Sequence, residues 1–157
     1  MGKILKRIKE LGLILPPCPI PVGSFVTARR AGDLVYAAGQ TPWQADGTLL
    51  FPGKVGCDVT PEQAYQAARL AALRLLSELA AEVDLDDIQF VKVNGYVNAV
   101  SDFGDHPIVI NGASDLLVEI FGERGRHART AVGVASLPNN ASVEVEVIAR
   151  IAEAGET

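Results

Sequence analysis

Residues 129–151 read RTAVGVASLPNNASVEVEVIARI, and they carry the clearest strand pattern in the chain. β-type residues lie on both sides of a proline and asparagine segment, which predicts two strands, Arg129–Ser136 and Val143–Ile151, joined by a turn at Leu137–Ser142. In the second strand, aliphatic residues alternate with a mixed set that includes two glutamates. The pattern therefore predicts a sheet with one face in the core and one mixed face.

Further strand patterns lie upstream of this stretch. Residues 91–99 alternate between small or aliphatic residues and polar ones, which predicts a strand with two different faces. Phe25–Arg30 and Leu34–Ala38 are β-type runs joined at Gly32-Asp33, a hairpin signal. Residues 43–58 are rich in glycine and contain a proline, so we expect a long loop there.

Two helices separate these strands. Thr60 can cap a helix, Pro61 suits its first turn, and Gln63 completes a capping box. An apolar stripe follows at helical spacing: Ala64, Ala68, Ala71, Leu75 and Leu79. A second helix is predicted at Pro107–Phe121, with Gly122 placed to end it.

The order ββαβαββ describes an α+β fold in which both helices cover one face of an antiparallel-rich sheet. The other, mixed face would then be uncovered. Such a face often packs against a copy of itself, so we expect the protein to form oligomers.

The N-terminal part, residues 1–21, is predicted to form a short amphipathic helix and a proline-rich connector within a single domain spanning residues 1–157. Basic residues precede Leu11–Leu15, but this apolar stretch is shorter than the about 7–15 residues of a secretory signal. We therefore expect a cytoplasmic protein without membrane association.

Composition limits the partners and cofactors. The net charge of −5 offers no general attraction for nucleic acid, whose affinity comes mostly from cationic contacts to phosphate. Cys18 and Cys57 are the only cysteines and make neither a disulfide framework nor a complete zinc site. The chain lacks nucleotide-binding, serine-hydrolase and zinc-peptidase motifs, so neither a cofactor nor a metal is expected.

The chemistry is expected around Arg129. Small and aliphatic residues follow it, which leaves room for a ligand, and its planar fork can bind a carboxylate through two parallel hydrogen bonds. A structural ion pair with Glu144 or Glu146 explains the residue equally well, and the residues alone leave both interpretations open. Three other candidate groups are more simply explained as solvated or hydrogen-bonding side chains: Lys54, His106 and His127.

The block from Arg129 to Ala149 resembles the C-terminal signature of the RidA (YjgF-type) family. That signature has an arginine, two alternating valines, a Leu-Pro pair and a strand with two glutamates ending in Ile-Ala. The matching positions are Arg129, Val132, Val134, Leu137, Pro138, Glu144, Glu146, Ile148 and Ala149. Leu34–Pro42 (LVYAAGQTP) is similar to the family's second strand, and the resemblance covers about residues 22–150. It implies a chorismate-mutase-like fold and a homotrimer with ligand clefts between subunits.

The resemblance also implies roles for individual residues. Arg129 would clamp the carboxylate of the substrate, and Glu144 would hold and polarise the attacking water. Four further residues would line or border the cleft: Gly39, Ala131, Asn111 and Phe25. Phe25 stands where the best-studied branch has tyrosine, and Ala131 stands where that branch often has cysteine, so a hydroxyl and a thiol are missing here.

Three functions follow from these expectations. The first is a deaminase of the 2-iminobutanoate/2-iminopropanoate type, which hydrolyses reactive enamines and imines to 2-keto acids and ammonia. The alternative is a non-catalytic binder or sensor of small 2-keto acids or related carboxylates. The endoribonuclease label that some family members carry is disfavoured by the acidic charge and by the lack of a histidine pair.

The positions of Arg129 and Glu144 along their strands predict whether both can lie in one chain's site. If residues 137–142 form a hairpin turn, Ala135 lies opposite Glu144, and Arg129 is about six residues away, or roughly 20 Å. That distance is too long for both side chains to contact one small acid. We therefore expect Arg129 of one subunit to face Glu144 of a neighbour.

Overall fold

The N-terminal helix packs on the body of the protein, as its spacing predicted. The structure is a computed structural model that describes residues 1–152. In α1 (Lys3–Glu10), Ile4 and Ile8 are buried. The carboxylate of Asp86 accepts hydrogen bonds from two backbone N–H groups of the first turn, at 2.6 and 2.7 Å, and so satisfies donors that a helix start leaves unpaired.

Strands β1 (Ala28–Ala31) and β2 (Leu34–Gln40) form the predicted hairpin, although β1 is shorter at its N-terminal end than expected. Gly32 at the turn has a φ of 65°, a left-handed conformation that glycine adopts without steric cost. The pairing of β2 becomes irregular between Ala37 and Gln40. This bulge ends the regular strand next to the following loop.

The predicted capping box begins α2 (Pro61–Glu82). The hydroxyl of Thr60 accepts a hydrogen bond from the backbone N–H of Gln63 at 3.2 Å, and the Gln63 side chain accepts one from the N–H of Thr60 at 3.0 Å. Every residue of the predicted apolar stripe is fully buried. The small alanines let α2 pack closely on the sheet.

The next three elements form a β-α-β unit. β3 (Ile88–Asn98) is followed by α3 (His106–Phe121) and then by β4 (Ala128–Val134), which is parallel to β3. The register places Arg129 opposite Val93. Gly122, with a φ of 61°, ends α3 at the predicted position.

The expected hairpin between the last two strands is wrong. β5 (Val143–Ile151) lies between β2 and β3, antiparallel to both, and the sheet order is β1-β2-β5-β3-β4. A helical crossover joins parallel strands, so β4 takes one side of β3 and leaves the other side to β5. Residues 137–142 therefore pass across the end of β3. The chain turns there at Asn139 and Asn140, whose φ angles are 56° and 57°.

Buried Asn98 holds this crossing segment in place. Its side chain, in a residue that is 1% exposed, donates a hydrogen bond to the carbonyl of Ala141 at 3.1 Å. Its backbone N–H donates to the carbonyl of Ser142 at 2.9 Å, while the N–H of Gly53 donates to the carbonyl of Asn140 at 2.8 Å. The end of β3, the crossing segment and the long loop are thus fastened together.

The two faces of the sheet differ as predicted. α2 and α3 pack on one face, where the alternate aliphatic side chains of β5 are buried: Val143, Val145, Val147 and Ala149. The opposite face, called the open face below, carries the half-buried glutamates of β5 together with Tyr36 and Val132, which are 44% and 42% exposed. Among residues 1–152, no helix has the length and apolar character required to cross a bilayer.

Candidate functional site

Arg129 is held in a fixed position against α3. Its Nη1 donates hydrogen bonds to Oδ1 of Asn111 at 2.7 Å and to Oγ of Ser114 at 3.1 Å, and its Nη2 donates to the carbonyl of Pro107 at 3.3 Å. Arg129 and Asn111, both predicted site residues, are therefore in direct contact. Because all three acceptors are neutral, they orient the guanidinium without neutralising it.

His127 contacts Ser114, one of the residues that hold Arg129. Its Nδ1 lies 2.7 Å from the carbonyl of Gly125, and its Nε2 lies 2.9 Å from Oγ of Ser114. Since a carbonyl can only accept, Nδ1 carries the proton in the neutral ring and Nε2 accepts from the Ser114 hydroxyl. Burial lowers the pKa of His127 and outweighs the opposing effect of the Gly125 carbonyl. A neutral histidine thus positions the serine that contacts Arg129.

Within the described part of a single chain, the structure excludes an ion pair as the explanation for Arg129. Within residues 1–152, no carboxylate lies within ion-pairing distance of its guanidinium, so the expected alternative of a salt bridge to Glu144 or Glu146 is excluded for the single chain. A half-buried cation without a counter-ion is typical of a site for an anionic ligand.

Glu144 occupies a different part of the molecule. Glu144 lines a cavity of about 420 Å³ together with Gly39 and Phe25. A methyl group at Gly39 would lie only 3.1 Å from the Glu144 carboxyl carbon, so the glycine allows the carboxyl group to lie directly against the β2 backbone. Phe25 is 52% exposed and forms part of the cavity wall.

Burial raises the pKa of Glu144 above its usual range, and the charge of Glu146 raises it further. Glu146 lies two residues along the same face of β5. It accepts hydrogen bonds from the hydroxyl of Tyr96 at 2.6 Å and from Nδ2 of Asn94 at 3.2 Å. Glu146 is therefore engaged with its neighbours, whereas no described side chain donates a hydrogen bond to the Glu144 carboxyl group.

The predicted site residues form two groups that do not meet within one chain. Arg129 is opposite Val93 on the helix-covered face, whereas Glu144 is opposite Tyr96 on the open face. Two inter-strand spacings and three residues along the sheet correspond to roughly 14 Å between the backbone positions. Ala131 is half-buried on the same side of β4 as Arg129.

A third cavity lies near the ends of β3 and β4. It is lined by Lys54, His106 and Gly133 among others, and a methyl group at Gly133 would lie 2.5 Å from Nε2 of His106. The ammonium group of Lys54 donates hydrogen bonds to the carbonyls of Ala135 and Ala99. Both side chains have packing or hydrogen-bonding roles, which agrees with their simpler interpretation.

Arg74, which lines the cavity beside Glu144, was not among the residues predicted from the sequence. Its Nε donates to Oε1 of Gln40 at 3.0 Å, and Nε2 of Gln40 donates to Oε1 of the buried Glu78 at 2.7 Å. The helical spacing of these two charged residues could have indicated their importance. Arg74 lies three residues after Ala71 and Glu78 lies three residues after Leu75, which places both on the side of α2 that the apolar stripe occupies.

No group of three or more histidine, cysteine, aspartate or glutamate side chains in the part of the chain that the structure describes could hold a metal ion.

Comparison with known proteins defines the class. The YjgF/chorismate mutase-like family, whose description also carries an endoribonuclease label, matches residues 6–151. Protein TCP17 of Trypanosoma cruzi is 37% identical over 153 residues, covering 96% of this chain and 95% of that protein. A 2-iminobutanoate/2-iminopropanoate deaminase of Dermatophagoides farinae is 31% identical over 133 residues, covering 85% and 90%.

A solved structure agrees with this class. The crystal structure of a protein of unknown function from Agrobacterium tumefaciens has a TM-score of 0.87 and 43% identity, covering 95% of this chain and 92% of that one. The fold is that of YjgF/chorismate mutase-like proteins, as predicted. The chain belongs to the RidA (YjgF-type) family, which the motif around Arg129 had indicated.

Proposed function

We propose that the protein hydrolyses reactive enamines and imines of small 2-amino acids to 2-keto acids and ammonia, in clefts between the subunits of a homotrimer. One wall of each cleft carries Arg129, Asn111 and Ala131 of one subunit. The opposite wall carries Phe25, Gly39 and Glu144 of the next. One observation carries this proposal. The guanidinium of Arg129 and the carboxyl group of Glu144, whose pKa is raised, lie on opposite faces of one sheet.

The open face supports assembly from subunits. It presents Tyr36 and Val132, both more than 40% exposed, on either side of the polar cluster around Glu146. Exposed aromatic and aliphatic side chains on a mixed surface are typical of a face that packs against another protein surface. Self-association would also bring the Arg129 group of one chain towards the Glu144 group of another.

The proposed reaction needs orientation and one acid–base group. Two parallel hydrogen bonds from Arg129 hold the substrate carboxylate, and the imine carbon then lies at a defined position. Glu144 donates its proton to the imine nitrogen, which makes the carbon more electrophilic, and the resulting carboxylate takes a proton from the attacking water. A bond forms between carbon and the water oxygen, giving a carbinolamine.

Collapse of the carbinolamine completes the hydrolysis. The proton held by Glu144 returns to the amino nitrogen, the carbon–nitrogen bond breaks, and ammonia leaves. The hydroxyl group gives its proton to the Glu144 carboxylate as the keto group forms, which restores the protonated acid. One imine and one water thus give one 2-keto acid and one ammonia. A carboxyl group whose pKa burial raises suits both halves of this cycle, because each half needs it to give up a proton and to take one back.

A non-catalytic binder would use the same Arg129 group but would not depend on Glu144. The two functions are separated by measuring ammonia release from freshly generated 2-aminoacrylate or 2-iminobutanoate, together with 2-oxobutyrate binding, in the wild type and in Glu144→Gln. We expect Glu144→Gln to lose most of the ammonia release while it still binds 2-oxobutyrate. Wild-type protein that binds the keto acid without releasing ammonia would establish the binder instead.

Assembly is tested separately. We expect sedimentation velocity to show a trimer at micromolar concentration. A monomer under these conditions would leave the Arg129 and Glu144 groups apart and would contradict the proposed cleft.

A further inference from the structure

A second cation lies in the cavity that contains Glu144. We propose that the guanidinium of Arg74 binds a second carboxylate group of the ligand, so that the preferred substrates are imines of short dicarboxylic 2-amino acids. This inference rests on the proposed function, because it assigns the far end of the same substrate. Arg74, Gly39 and Glu144 line one cavity of about 420 Å³. That volume is in the range of pockets for ligands much larger than a three-carbon acid.

The guanidinium of Arg74 is fixed by two neutral acceptors. Its Nε donates to Oε1 of Gln40 at 3.0 Å, and its Nη1 donates to the carbonyl of Trp43 at 3.2 Å. No described residue accepts a hydrogen bond from its Nη2. Arg74 is therefore pre-oriented and retains donors for a further acceptor, the arrangement in which an arginine binds a carboxylate with little loss of side-chain freedom.

Glu78 acts on the positive charge of Arg74, but the two side chains form no ion pair. Glu78 lies one helical turn further along α2, but its Oε1 accepts a hydrogen bond from Nε2 of Gln40 at 2.7 Å, so the amide of Gln40 stands between the two charged groups. Within residues 1–152, no carboxylate lies within ion-pairing distance of Arg74. Burial lowers the pKa of Arg74, and the charge of Glu78 opposes this effect.

Glu78 compensates this charge only in part. Burial raises the pKa of Glu78 to about 7, against the opposing effects of Gln40 and Arg74, so a large fraction of its carboxyl groups is neutral at neutral pH. Oε2 of Glu78 is buried without a hydrogen-bonding partner. A half-buried arginine is costly when no anion accompanies it, and a ligand carboxylate would offset that cost.

The ligand chemistry follows from the two cations. One carboxylate, next to the imine carbon, binds Arg129 of the neighbouring subunit, and the imine carbon lies near Glu144. A second carboxylate at the end of a short methylene chain binds Arg74. Trp43 and Phe25, which line the same cavity, provide apolar surface for the methylene groups between them.

The test compares a monocarboxylic with a dicarboxylic keto acid. Binding of 2-oxobutyrate and 2-oxoglutarate is measured by calorimetry for the wild type, for Arg74→Gln and for the control Arg69→Gln, whose arginine lies on the same helix and pairs with Glu119 at 2.8 Å. We expect the wild type to bind 2-oxoglutarate about tenfold tighter, the ratio typical of one additional charged contact. Arg74→Gln should abolish this preference, and Arg69→Gln should retain it.

The outcomes separate this inference from the proposed function. Equal wild-type affinities, tighter binding of 2-oxobutyrate, or a preference that survives in Arg74→Gln would each overturn the role of Arg74 and leave the deaminase proposal standing. Absence of binding for both keto acids together with absence of ammonia release would overturn both. If Arg74→Gln does not fold, Arg74→Lys serves instead, since it keeps a cation but loses the planar fork, and it should reduce the preference.

Discussion

Arg129 and Glu144 lie on opposite faces of one sheet, with β3 between their strands. Arg129 is bonded to α3 on the covered face, and Glu144 lies against Gly39 and contributes to the open face. Neither side chain can reach the other within the chain. If both contact one substrate, the site is a property of the assembly.

Removing the guanidinium should weaken ligand binding without unfolding the protein. A charged hydrogen-bonding contact typically contributes about 1.5–3 kcal/mol, so Arg129→Ala should bind 2-oxobutyrate about ten- to a hundredfold more weakly. The control is Arg30→Ala, because Arg30 is an exposed arginine on β1 whose Nε donates to the carbonyl of Gly32 at 2.9 Å, away from Arg129. Calorimetry that finds equal losses in both variants would show a general charge effect rather than a specific clamp.

Glu146 should set the pH range of the reaction. Burial and the charge of Glu146 together raise the pKa of Glu144, so Glu146→Gln should lower that pKa. A lower pKa leaves less protonated Glu144 at a given pH. The basic limb of the pH–rate profile should therefore move to lower pH. A profile that keeps its position in Glu146→Gln would mean that Glu144 is not the titrating group.

The lack of a side chain at residue 39 should matter for turnover. In Gly39→Ala, the new methyl group would lie 3.1–3.2 Å from the carboxyl group of Glu144 and would displace it. Ammonia release should fall while the melting temperature stays close to that of the wild type. Gly104→Ala is the matched control, because nothing lies within 4 Å of its added methyl group. Wild-type turnover in Gly39→Ala would show that the position of the Glu144 carboxyl group is not critical.

The sequence predicted the local elements well because they depend on local patterns. The capping box at Thr60, the glycine that ends α3 and the two faces of β5 were all confirmed. The pairing of β4 with β5 was wrong because a short connection was taken for a hairpin. The helix between β3 and β4 required parallel neighbours, and that requirement outweighs the closeness of β4 and β5 in sequence.

The site was only partly predictable, because it depends on contacts between segments that are distant in the sequence. Asn111 could be placed beside Arg129 only through the family resemblance, because α3 and β4 are brought together by tertiary packing. Arg74 escaped notice because its significance depends on the bulge in β2, which carries Gln40 to α2. No local pattern reports such a contact between distant segments.

Burial of Glu78 should make stability depend on pH. Its pKa is raised from 4.5 to about 7, so the folded protein binds a proton more tightly than the unfolded chain does. Stability should therefore be highest below about pH 4.5, as far as this group is concerned, and should fall by about 3 kcal/mol as pH rises to about 7. Glu78→Gln should remove this component in denaturant titrations between pH 5 and 8. The same slope in the variant would assign it to other groups.

Subunit complementation tests the shared cleft most directly. Trimers of Arg129→Ala and of Glu144→Ala are each expected to be inactive, and the two are mixed in equal amounts under conditions in which subunit exchange is demonstrated independently. With random exchange, about a quarter of the clefts combine an intact Arg129 with an intact Glu144, so about a quarter of the wild-type ammonia release should return. No recovery despite complete exchange would contradict a cleft built from Arg129 of one subunit and Glu144 of the next.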